Sequence, residues 1–182
     1  MNDDAMKMFT SQRGASLAEL SAQQPLLLVF LRHMGCTFCR EALGDLAARR
    51  AELDELGVRI AVVHMGAPLA ATLMLQKYGL EDLHRFSDPQ CELYRAFRLE
   101  RGTPAQLAGP KIWWRALPAL WGGHGFGPIV GDGLRMPGVF VLDKGEIIAS
   151  FRHASAADRP DYVAIAREAI HGLSHKLAAA SV

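Results

Sequence analysis

The stretch Leu26-Leu-Leu-Val-Phe-Leu-Arg32-His-Met-Gly35-Cys36-Thr-Phe-Cys39-Arg40-Glu41 decides the reading of this chain. An apolar run from Leu26 to Leu31 lies between Pro25 and a polar corner ending at Gly35. A run this short reads as a buried strand, because a helix needs more length. Beyond the corner, apolar residues at 42, 43, 46, 53 and 56 follow helical spacing. Cys36 and Cys39 therefore fall on a strand-to-helix turn, at the start of the helix. Unpaired backbone N–H groups and the positive end of the helix dipole favour an anion there. A thiolate in that position has a lowered pKa and is the nucleophilic form of cysteine. The three-residue spacing also lets one thiol attack a mixed disulfide formed on the other.

A structural zinc site would need four ligands, and His33, Cys36 and Cys39 supply three close together, with no second Cys-x-x-Cys or His-x-x-x-His pair placed to complete the set; His171 and His175 share a helix face far along the chain and read as solvated. Cys-x-x-Cys beside a strand–helix–strand pattern points instead to redox chemistry. Composition agrees. The chain has 182 residues, half of them apolar, with a net charge of +1. That is one domain by length, with neither a disordered composition nor a polyanion-binding surface. The first residues carry acidic side chains and no apolar stretch of signal-peptide length, and the apolar runs fall short of a membrane span. The expected setting is cytoplasmic, where three cysteines serve as reactive thiols and not as a disulfide framework.

Outward from the cysteine turn, residues 1–15 read as a mobile arm. Ser16 with Glu19 forms a capping box for a short helix that stops before Pro25. Gly57 ends the long helix, and the β-branched run from Val58 to Met65 is a second buried strand, parallel to the first. A helix over Pro68–Tyr78, a weak strand at 84–87 and a short helix from Cys91 to Leu99 follow. Residues 100–135 hold Trp113, Trp114, Trp121 and a cluster of glycines, and read as a long insertion. Regular structure returns as a hairpin, Gly138–Leu142 and Ile147–Arg152, and a closing helix from Asp158 with Pro160 in its first turn. Arg152 and His153 read as the surface end of the last strand. Cys91 reads as a small packed apolar residue.

This order resembles the thioredoxin-like α/β fold, a central mixed sheet flanked by helices with an insertion before the C-terminal hairpin. At finer grain the chain is similar to peroxiredoxin-like proteins related to alkyl hydroperoxide reductase C. The pieces that carry the likeness are Phe30 to Ala42, Ser87-Asp-Pro89, Leu93-Tyr94 with Phe97 and Leu99, Arg101-Gly102, Met136-Pro-Gly-Val-Phe140 and Ala157-Asp-Arg-Pro-Asp-Tyr162. The resemblance implies a thiol-dependent oxidoreductase that reduces peroxides or disulfides, with no metal or organic cofactor. Its electron donor would be a thioredoxin- or glutathione-type dithiol; it involves no nucleic acid and admits a homodimer. The rival is a non-catalytic redox sensor or binding module of the same fold.

Family logic makes Cys36 and Cys39 the catalytic pair. Thioredoxin practice puts the attack on Cys36, whereas the peroxiredoxin alignment puts it on Cys39. The thioredoxin fold also implies a cis proline at Met136–Pro137, with Met136 offering backbone hydrogen bonds to substrate. His33 and Arg40 are candidate supports for a thiolate. The peroxiredoxin pattern Pro-x-x-x-Thr-x-x-Cys is not kept. With Cys39 as its cysteine, the proline position holds Arg32, the threonine position holds Cys36, and the peroxide-polarising arginine falls near Pro137. Arg32, Arg40 and Arg135 are the candidate replacements. One lost donor to developing charge costs roughly 10²–10³ in rate. The sequence therefore predicts faster reaction with disulfides or organic hydroperoxides than with hydrogen peroxide. Second-order rate constants of the reduced protein with each oxidant test this.

Overall fold

A computed structural model describes residues 3–32, 36–103, 106 and 131–180. Among them, β1 (Leu26–Phe30), β2 (Arg59–His64), β3 (His84–Ser87), β4 (Gly138–Asp143) and β5 (Glu146–Arg152) form one sheet in the order β3-β2-β1-β4-β5. β1 runs parallel to β2, and β2 to β3, while β4 is antiparallel to both β1 and β5. This is the thioredoxin-like arrangement, with β1 at its centre. Lys144 and Gly145 both take positive φ, 48° and 81°. Two such residues make the tight turn whose twist suits a β4–β5 hairpin.

Strand side chains alternate between two buried layers, as the two-residue repeat requires. Leu27, Val29, Ile60, Val62, Val139 and Val141 face one layer. It is closed by α3 (Thr37–Glu55) and the last helix, α6 (Tyr162–Ala180). Leu26, Leu28, Phe30, Val63, Phe140 and Leu142 face the other. There α1 (Asp3–Met8), α2 (Leu17–Gln23) and α5 (Glu92–Ala96) pack. The rings of Phe30, Phe97 and Phe140 meet with centroids 4.9–5.5 Å apart. Each such pair is worth about 0.5–1.5 kcal/mol beyond its buried area. α4 (Pro68–Lys77) adds Leu75 to the first layer.

The expected boundaries of α2, α3 and α4 agree with their caps. The Ser16 hydroxyl accepts the Glu19 N–H at 3.2 Å and the Glu19 carboxylate accepts the Ser16 N–H at 2.8 Å. After α3, the Gly57 N–H reaches the Asp54 carbonyl at 2.9 Å and the Val58 N–H reaches Leu53 at 3.0 Å. That paired closure needs positive φ at Gly57, which is 68°.

Two expectations fail here. Residues 3–15 are not a free arm. Met6 is buried in the second layer, the Ser11 hydroxyl is 3.0 Å from His84 Nδ1, and Gln12 bonds the backbone of Leu83 and Arg85. The arm thus covers the edge of β3, a pairing that local sequence did not reveal. The last helix starts at Tyr162, not Asp158. The Asp158 carboxylate is taken up by the N–H groups of Ala154 and Ser155, at 2.7 and 2.8 Å. Asp161 caps the helix instead, accepting from Val163 and Ala164, and Pro160 precedes it. Most of the 100–135 insertion, with its tryptophans, lies outside the described residues. Its two ends are tied: Gly102 N–H donates to Leu134 at 2.8 Å and Met136 N–H to Glu100 at 3.0 Å.

α5 depends on one carboxylate. Asp88 is buried and accepts the N–H groups of Glu92, Leu93 and Tyr94 at 2.9, 2.8 and 3.1 Å. Its loss leaves these donors unpaired, two of them in the interior. Asp88→Ala is expected to lower stability by about 2 kcal/mol or more. A fall in the urea midpoint at unchanged m-value would show it.

Candidate active site

Both cysteines sit where the strand-to-helix turn puts them. Cys36 is the N-cap of α3 and Cys39 lies in its first turn; both are buried and both are free thiols, as is Cys91. Three groups converge on the pair. The Arg32 backbone N–H donates to Cys39 Sγ at 3.0 Å. The Arg32 guanidinium lies 3.9 Å from Cys36 Sγ through Nη1, and its Nη2 donates to the Gly133 carbonyl at 2.6 Å. Tyr94, fully buried, donates its hydroxyl to the Leu31 carbonyl, one atom before the Arg32 N–H along the chain.

These contacts separate the two thiols electrically. Cys36 is held down to about 6, chiefly by the hydrogen bond it receives from Cys39, with the Arg32 charge and first-turn N–H groups assisting against the opposing effect of burial. Cys39 is pushed well up, by donating that hydrogen bond and by burial. The proton of the pair thus rests on Cys39, and Cys36 is the anion at neutral pH.

A small cavity, of about 20 Å³, opens on the pair and is lined by Arg32, Phe38, Pro137, His153, Ala156 and Tyr162 among others. Pro137 thus stands beside the dithiol. The Met136–Pro137 bond is not cis: no described peptide bond is. The Met136 N–H is already given to Glu100, so that donor is closed to an extended substrate. The trans form is favoured for any X–Pro bond unless its surroundings oppose it. Of the three arginines considered, Arg32 approaches the sulfur. Arg135 is turned to the Leu99 carbonyl at 3.0 Å and to Asp132 at 3.4 Å. Arg40 is not among the cavity-lining residues. His33 lies outside the described residues. Cys91 packs inside, its thiol 3.3 Å from Met65 Sδ and its pKa raised by burial.

The residue that sequence reasoning missed is His153. It is not a surface terminus: its ring meets Phe151 edge-on at 5.2 Å and lines the dithiol cavity. The signal was the two-residue repeat, which puts 153 on the inward face with 151.

Residues 45–155 match the AhpC/TSA antioxidant enzyme family. The chain belongs to that family. The match begins after the cysteine turn. Curated relatives include peroxiredoxin-like 2A of Mus musculus, 27% identical over 143 residues, 78% of this chain and 64% of the relative. The Homo sapiens protein of that name is 25% identical over 149 residues, 81% of this chain and 63% of the relative. The chain thus spans just under two thirds of these relatives' length. Among solved structures, Xanthomonas campestris peroxiredoxin Q superposes with TM-score 0.64 at 17% identity, covering 96% of this chain and 94% of that one. Mycobacterium tuberculosis peroxidoxin BcpB gives 0.60 at 15%, covering 92% and 90%. These likenesses establish a peroxiredoxin-type thioredoxin fold. No helix among the described residues is long and apolar enough to cross a membrane.

Thiolate reactivity should follow the lowered thiol. Alkylation of Cys36 by iodoacetamide is expected to rise with pH through about 6 and level off above it. In Cys39→Ala, which removes the principal donor, the midpoint moves up toward the free value of about 8.5. Rate against pH for the two proteins checks both statements.

Proposed function

We propose that the chain is a thiol-dependent peroxidase in which Cys36 attacks and Cys39 resolves. The observation that carries this reading is the asymmetry of the pair. One sulfur is a stabilised thiolate facing a cavity, and its neighbour three residues on holds a proton. The thiolate attacks a hydroperoxide and becomes a sulfenic acid. The Cys39 thiol then attacks that sulfur, releasing water and forming an intramolecular disulfide. A thioredoxin-type dithiol, or two thiols of the glutathione type, returns two electrons and restores the pair, leaving as its own disulfide. No cofactor takes part. The Arg32 guanidinium, next to Cys36, takes the polarising role left open near Pro137.

The same dithiol could in principle exchange with protein disulfides. The cavity supports peroxide as the oxidant: about 20 Å³ accommodates one water-sized group, such as a peroxide head. A sensor without turnover is the remaining rival, and continuous peroxide consumption separates it from an enzyme.

Oxidation by one equivalent of hydroperoxide is expected to join Cys36 to Cys39 and leave Cys91 reduced, as peptide mass mapping would show. Cys36→Ser should abolish peroxide consumption in the presence of a dithiol reductant. Cys39→Ser should stop the reaction at a sulfenic acid trapped by dimedone. A Cys91 link, or a Cys36→Ser protein that still turns over, would refute the assignment.

A further inference from the structure

His153 is a buried polar group without a partner. Neither ring nitrogen makes a hydrogen bond or touches solvent among the described residues. An unsatisfied buried polar atom costs about 1–3 kcal/mol, and such groups in folded proteins call for an explanation. The cavity supplies one. Most charged groups along it are committed elsewhere: Arg159 pairs with Asp45 at 2.5 Å and with Glu41 at 3.5 Å, and Asp158 holds the backbone at Ala154 and Ser155. Phe38, Pro137, Ala156 and Tyr162 offer mainly carbon. Arg32, beside Cys36 and with its Nε unpartnered, and His153, just past the end of β5, are left to meet a reacting molecule.

We propose that His153 donates a hydrogen bond to the oxygen that leaves when Cys36 attacks a hydroperoxide. This deepens the peroxidase reading and rests on it. The Cys36 sulfur gives an electron pair to the terminal oxygen; the S–O bond forms as the O–O bond breaks. Sulfur is oxidised to the sulfenic acid and the peroxide is reduced to an alkoxide, which takes its proton from water. Thiolate, hydroperoxide and water become sulfenic acid, alcohol and hydroxide. A neutral imidazole has one N–H to aim at the developing negative charge. Burial keeps the ring neutral, its pKa held to about 4, so it donates without placing a second cation beside Arg32. Neither nitrogen is open to solvent in the resting structure, so the donor is shielded from competing water until a peroxide occupies the cavity.

The test uses the reduced full chain and three probes: hydrogen peroxide, tert-butyl hydroperoxide and iodoacetamide. His153→Phe keeps a ring against Phe151 and removes both nitrogens. It is expected to lower both peroxide rate constants on the order of 10²-fold, the worth of one preorganised donor. Iodoacetamide, whose iodide leaves without a proton, should react as with the wild type, at the same pH midpoint. His153→Gln, which restores a neutral N–H, should recover part of the loss. If the phenyl ring does not fit, His153→Leu removes the nitrogens in a smaller side chain and is read in the same way. Unchanged peroxide rates in the Phe or Leu variant, or peroxide and alkylation rates falling together, would overturn the role of His153 alone. A wild-type protein no faster with peroxide than a free cysteine would overturn the peroxidase reading and this proposal with it.

Discussion

The peptide unit between Leu31 and Arg32 joins the core to the chemistry. Its carbonyl accepts the hydroxyl of Tyr94, which is wholly enclosed against Phe30, and its N–H points at Cys39 Sγ. A trans peptide is planar, with carbonyl and N–H on opposite sides. Fixing one therefore aims the other. Tyr94 is in turn fixed by Asp88, which holds its backbone N–H along with those of two neighbours. A carboxylate in the second layer thus sets the direction of a donor to a sulfur across the sheet.

The cysteine side of this arrangement was legible in the sequence because it is local. A short apolar run, a glycine corner and a helical repeat, all between Leu26 and Leu56, define a strand-to-helix turn, and Cys36 and Cys39 fall on it without help from elsewhere. Gly57 and Ser16 with Glu19 were readable for the same reason. What could not be read depends on distant partners. Met6 and Gln12 look like arm residues until β3 is beside them. His153 looks like a strand end until α6 and the cysteine turn close over its inner face. The orientation of Arg135 follows from Asp132 and the Leu99 carbonyl, and no spacing rule predicts it.

The departures from the peroxiredoxin pattern are mutually consistent in three dimensions. A proline at position 32 has no N–H and could not donate to Cys39; Arg32 has one, and does. A threonine at position 36 would present a hydroxyl to Cys39; Cys36 presents a sulfur that accepts the Cys39 proton. Two of the three positions where the familiar pattern is lost are thus ones that touch Cys39. Together they turn the residue aligned with the peroxidatic cysteine into a proton-bearing neighbour and move the anion to Cys36. Arg32 contributes twice, its backbone to one sulfur and its guanidinium to the other, so a single change at that position alters both halves of the pair. Proline at position 32 would remove the backbone donor to Cys39, whereas threonine at position 36 would put a hydroxyl, donor and acceptor both, in place of the sulfur that carries the charge.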